Sequence, residues 1–213
     1  MMVLDPVVHR AQIGSHPLAF QTGLWLNKIG SSKWIYPITL CIILQVWFCE
    51  WRNVAPSQRL KLHSRAAAAW YVLTSVGTSE IVATVLKQAI GRPRPTMAKT
   101  HAAFGFEPFS FDYQFASLPS GHAATIACLA TCLALLYPKL RVPVIVLAFS
   151  AGLSRIAIGV HYPGDVIAGF LLGICAAFAM AALFARRGIL FAVRPGQAPV
   201  PVKIFGIFSP ARG

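Results

Sequence analysis

Gly164-Asp-Val-Ile-Ala-Gly-Phe-Leu-Leu-Gly-Ile-Cys-Ala-Ala-Phe-Ala-Met-Ala-Ala-Leu-Phe-Ala185 decides the fold class. After Asp165 it carries no charge until Arg186 and Arg187. A helix rises ~1.5 Å per residue, so about 20 apolar residues cross the hydrocarbon of a bilayer. The stretch therefore reads as a transmembrane helix. Four apolar segments precede it, at about 34–51, 66–90, 122–137 and 142–158. Trp34 and Trp51 bound the first as interfacial anchors. The third is short for a span unless tilted neighbours or local thinning help.

Composition agrees. Of 213 residues, 56% are hydrophobic and 12% charged, whereas soluble domains sit near 45–50% and about 25%. The expected architecture is an all-α polytopic membrane bundle of about five transmembrane helices plus an N-terminal interfacial helix. Residues 1–33 supply that helix through a rough stripe of Leu18, Phe20, Leu24, Trp25, Leu26 and Ile29. A packed cap over the bundle fits them equally. Residues 34–187 form the transmembrane domain and 188–213 a cytoplasmic tail. No basic stretch leads into an apolar core at the N-terminus, so no cleavable signal peptide is expected. Cys41, Cys49, Cys128, Cys132 and Cys175 fall within spans and read as small packing residues.

The net charge of +13 is scattered between spans rather than clustered, which argues against a nucleic-acid partner. Basic residues concentrate in 52–65, in the 138–141 turn and after residue 185. The positive-inside rule assigns these segments to the cytoplasm. The opposite ends then face outward, which in a Gram-negative inner membrane is the periplasm.

Three motifs sit at those outward ends. Lys87 and Arg94-Pro95 close the second span and open the one long loop, 91–119. Pro119-Ser120-Gly121-His122 starts the third span. Ser154-Arg155, His161 and Asp165 link the fourth and fifth. Lys87, Arg94 and Arg155 are cations near lipid, costly unless snorkelling, paired or set around an anion. Arginine matches phosphate oxygens with its planar fork. Ser120 suits an N-cap, Gly121 permits close backbone approach, and a helix N-terminus favours an anion. His122 stands where it can act as a general acid. Asp165 complements the helix dipole or, at i+4, holds the His161 ring and leaves its other nitrogen free to attack. Glu80, seven residues before Lys87, reads equally as a functional intramembrane acid or as a hydrogen-bond partner of a nearby Ser or Thr.

Over roughly residues 60–185 these motifs resemble the signature of the type 2 phosphatidic acid phosphatase superfamily, which includes vanadium haloperoxidases and glucose-6-phosphatase. The resemblance implies a site at the outer membrane boundary. There His161 is the nucleophile that forms a phosphohistidine, Asp165 its partner and His122 the acid for the leaving group. Lys87, Arg94, Ser120, Gly121 and Arg155 would bind the phosphate. Many bacterial members have six spans, one more than are counted here. The expected activity is hydrolysis of a lipid phosphate or diphosphate without metal or cofactor. The candidate substrates are lipid A 1-phosphate, undecaprenyl diphosphate, phosphatidylglycerol phosphate and phosphatidic acid. Membrane lipids are the expected partners, with no obligate protein partner. Alternatives are phosphate transfer between lipids, a haloperoxidase and a silent lipid-binding protein.

Overall fold

The computed structural model describes residues 31–98, 100–192 and 199–201. Nearly all of the expected interfacial helix and most of the expected tail lie outside these residues. The described helices are α1 (Ile35–Trp47), α2 (Pro56–Ile90), α3 (Gly121–Leu136), α4 (Arg141–Ala157) and α5 (Pro163–Arg186). Three stretches are long and apolar enough to cross a membrane: Pro56–Met97, Pro138–Ala157 and Pro163–Arg186. Helices α1 and α3 are apolar but shorter, at 13 and 16 residues.

Helix α3 is the axis of the bundle, packed by α2, α4 and α5. Its sequence, GHAATIACLATCLALL, is apolar almost all round, and residues on every face are buried. An all-round apolar helix belongs inside a bundle rather than on its rim. Small residues set how close its neighbours come. A Cβ on Gly169 of α5 would stand 2.5 Å from the Ser120 carbonyl oxygen, and one on Gly173 would stand 2.2 Å from that of Ala124. Helix α5 therefore lies on α3 at backbone contact, as small-xxx-small faces permit. The outer faces are apolar and exposed, including Ile81 and Val85 of α2, Ile145 and Phe149 of α4, and Leu171 of α5. That continuous apolar surface suits lipid.

Helix α2 starts at Pro56, ten residues before the expected span. Hydropathy marks only the part of a helix within lipid. Proline at its first turn is compatible with helix, and Arg59, Lys61 and Arg65 extend the same helix beyond the apolar region. Leu190 and Phe191 fold back into the core, and Phe191 meets the Tyr71 ring edge-on at 4.8 Å. Phe191–Ala192 pairs antiparallel with Val200–Pro201.

The loop after α2 is ordered by its own backbone. Gly91 ends α2 with φ of 62°, a left-handed conformation that glycine adopts without strain. From there the chain runs out and returns. Glu107 N–H donates to the Gly91 carbonyl at 2.8 Å and Phe109 N–H to that of Gln88 at 2.7 Å. Arg94 N–H donates to the Gln114 carbonyl at 2.8 Å and Ser117 N–H to that of Arg92 at 3.1 Å. These four bonds lay residues 107–117 along 88–94, beside the starts of α3 and α5.

Candidate active site

The N-termini of α3 and α5 are tied together where Ser120 N–H donates to the Asp165 carbonyl at 2.9 Å. Ser120 is the N-cap of α3, Pro163 opens α5 and Asp165 lies in its first turn. This tie brings His122 to the turn that carries His161. Helix α4 ends at Ala157, with Arg155 in its last turn. Lys87 lies in the last turn of α2. Every motif residue thus comes to one end of the bundle.

Lys87 and Arg94 converge on one acceptor. The Ala116 carbonyl receives Lys87 Nζ at 3.0 Å and Arg94 Nη2 at 3.3 Å. Arg94 also donates to the Tyr113 carbonyl at 3.0 Å and the Val160 carbonyl at 3.4 Å, with its guanidinium 3.9 Å from the Tyr113 ring centroid. Lys87 packs over Gly121, where a Cβ would stand 3.7 Å from its Cε. Arg155 is buried and lies within electrostatic reach of Arg94 and His122. Three cations therefore share a space in which Ser120 Oγ is buried with no hydrogen-bond partner. An orphaned buried hydroxyl is a donor left open to a ligand.

Asp165 is fully buried and held from several sides. Arg92 Nη1 meets Oδ1 at 2.7 Å. Ser117 Oγ donates to Oδ2 at 2.5 Å and Tyr162 N–H donates to it at 3.0 Å. The expected contact with His161 is there as an approach: Nδ1 stands 3.6 Å from Oδ2, outside hydrogen-bond reach. Burial, reinforced by the charges of Lys87 and Arg94, lowers the His161 pKa to about 4, while Asp165 pulls the other way. The ring is neutral at ordinary pH, with Nδ1 toward the carboxylate. Because Asp165 is already engaged by Arg92, Ser117 and Tyr162, it is poorly placed to ligate a metal ion. The described residues contain no cluster of three His, Cys, Asp or Glu side chains placed to hold one.

Arg92 and Ser117 were not among the residues that the sequence singled out. Arg92 is 1% exposed and its guanidinium lies 4.4 Å from the Tyr162 ring centroid. One signal for it exists. The chain has 6 acidic residues against 19 lysines and arginines, so an acid between membrane helices has many cations from which to draw a partner. Glu80 is bridged by both neighbouring helices. Thr125 Oγ1 donates to Oε1 at 2.9 Å and Tyr36 Oη to Oε2 at 2.5 Å. Glu107 and Asp112 are exposed on the loop, and Asp112 caps a short turn through Gln114 N–H.

Residues 68–189 match the model of the PAP2 superfamily. The chain is 35% identical over 192 residues to the lipid A 1-phosphatase of Rhizobium etli, covering 87% of this chain and 80% of that one. Two solved structures share the fold, each with a TM-score of 0.61. One is the transmembrane PAP2-type phosphatidylglycerolphosphate phosphatase of Bacillus subtilis, at 24% identity over 86% of both chains. The other is Aquifex aeolicus LpxE, at 22% identity over 84% of this chain and 95% of that one. The fold and its apolar surface define an integral membrane protein of helical-bundle type. The chain belongs to the PAP2 superfamily.

Proposed function

We propose that this membrane lipid phosphatase, a phosphoric monoester hydrolase, removes the 1-phosphate of lipid A or a closely related envelope lipid through a histidine. The reading rests on one observation above all: a buried His161 3.6 Å from Asp165, within the field of Lys87 and Arg94, which Arg155 adjoins. The relationship to the Rhizobium etli lipid A 1-phosphatase supports the substrate. The alternation of basic links with motif-bearing ends supports a site on the periplasmic face.

In the first step His161 Nε2 attacks phosphorus in line and the bond to the leaving oxygen breaks. His122 donates a proton to that oxygen. Asp165 stabilises the charge that develops on the imidazole. Lys87, Arg94, Arg155, the Ser120 hydroxyl and the first N–H groups of α3 stabilise the equatorial oxygens. In the second step a water gives its proton to His122 and attacks phosphorus. The P–N bond breaks, and phosphate and free His161 are regenerated.

The test is phosphate release by detergent-purified protein in excess EDTA, across lipid A, undecaprenyl diphosphate, phosphatidylglycerol phosphate and phosphatidic acid, beside His161→Ala. Release from lipid A that is lost in the variant is expected. Release retained by His161→Ala, or abolished by EDTA and restored by Mg²⁺, would overturn the scheme. Transfer of phosphate to a second lipid without free phosphate would make the protein a phosphotransferase.

A further inference from the structure

A cavity of about 290 Å³ opens beside the site. Helix α2 lines it with Glu80 and Lys87, α3 with Gly121, His122 and Thr125, and the segment before α1 with Ser31, Ser32 and Lys33. At ~30 Å³ per liquid water it has room for roughly ten waters, enough for a sugar ring or a glycerol unit. Glu80 is presented to it in a fixed orientation by Tyr36 of α1 and Thr125 of α3. Each carboxylate oxygen already accepts one hydroxyl, and an ionised carboxylate has about four acceptor sites. Two remain for a ligand.

Resting on the phosphatase reading above, we infer that this cavity receives the leaving group, and that Glu80 selects esters whose leaving group is a neutral, hydroxylated alcohol over diphosphates. His122 stands on the cavity wall, so the oxygen it protonates departs into that space. A preset carboxylate accepts hydrogen bonds from the hydroxyl or amide N–H groups of a sugar. Its charge also offsets those of Lys33 and Lys87 on the same cavity, which would otherwise favour the second phosphate of a polyprenyl diphosphate there. An acid bridging three helices also clamps them together. A clamp alone, however, does not distinguish one leaving group from another.

The experiment measures kcat/KM of wild-type, Glu80→Gln and Glu80→Asp protein on two probes, lipid A bearing its 1-phosphate and undecaprenyl diphosphate. Thermal unfolding in detergent checks that the variants are folded. Glu80→Gln keeps an acceptor of the same shape and removes the charge. It is expected to lose about tenfold or more on lipid A, since a site built around a substrate hydroxyl discriminates strongly, and to gain severalfold on the diphosphate. Glu80→Asp keeps the charge and withdraws its reach, so it should lose on lipid A without gaining on the diphosphate. Equal losses on both probes, or no change on either, would overturn the selective role and leave Glu80 a clamp. Wild-type protein that releases phosphate from neither probe would instead overturn the phosphatase reading, and the selectivity would fall with it.

Discussion

Arg92 and Asp165 meet at 2.7 Å with side chains 1% and 0% exposed, a fully desolvated ion pair at the hub of the site. It joins the long loop to the first turn of α5. Removing one member of such a pair leaves a buried charge uncompensated, at a cost of roughly 3–5 kcal/mol. Arg92→Ala should therefore lower detergent-phase thermal stability markedly. Arg92→Lys, which retains the charge but not the planar fork, should restore much of that stability while kcat stays depressed because the carboxylate shifts beside His161. Full activity in Arg92→Lys would mean that the pair serves folding alone.

His161 titrates near pH 4, where an ordinary histidine titrates near 6.5. The sign follows from burial: the neutral ring is favoured, so protonation needs a lower pH. Following the imidazole signal of histidine-labelled protein by NMR, with His161→Ala to assign it, should give a midpoint well below 6. Replacing Lys87 by Gln removes a positive neighbour and should move the midpoint up. A midpoint near 6.5 in the wild type would show the ring to be solvated.

Asp165→Asn preserves the shape of the side chain and removes the charge that His161 faces. Loss of the corresponding carboxylate in histidine-based catalysis has cost ~10⁴ in rate elsewhere. A fall of at least a hundredfold in kcat with little change in KM is expected here, read by phosphate release. A purely raised KM would assign Asp165 to binding instead.

A Cβ on Gly91 would stand 1.9 Å from the Glu107 carbonyl oxygen, at a positive φ. Gly91→Ala should detach the returning strand of the loop, and with it the carbonyls that hold Lys87 and Arg94. Circular dichroism should report an intact helical bundle while activity falls tenfold or more. Gly173→Leu is the counterpart within the bundle. There the clash is with the α3 backbone, so the expected loss is of folding itself, seen as early unfolding in detergent.

The all-α membrane class and the order of the motifs were legible because both are local: a run of apolar residues, or a charged residue at its end. Helix α2 was read short because its first turns are polar, and a polar helix leaves no hydropathy signal. Both readings of Glu80 were open, and the Thr hydrogen bond is there, from Thr125. Arg92 and Ser117 were missed for a different reason. Their partner, Asp165, lies 73 and 48 residues away, and spacing carries no information about contacts made across a loop and two helices.

On the proposed reading, the Ala116 carbonyl, shared by Lys87 and Arg94, occupies donors that a phosphate would want. An arriving anion must compete with a backbone dipole already in place, and a departing one leaves that dipole to take the donors back. The resting enzyme thus carries its own weak surrogate for product. Such a surrogate blunts the grip of free phosphate on the site more than that of a transition state, whose charge and geometry the single carbonyl cannot imitate.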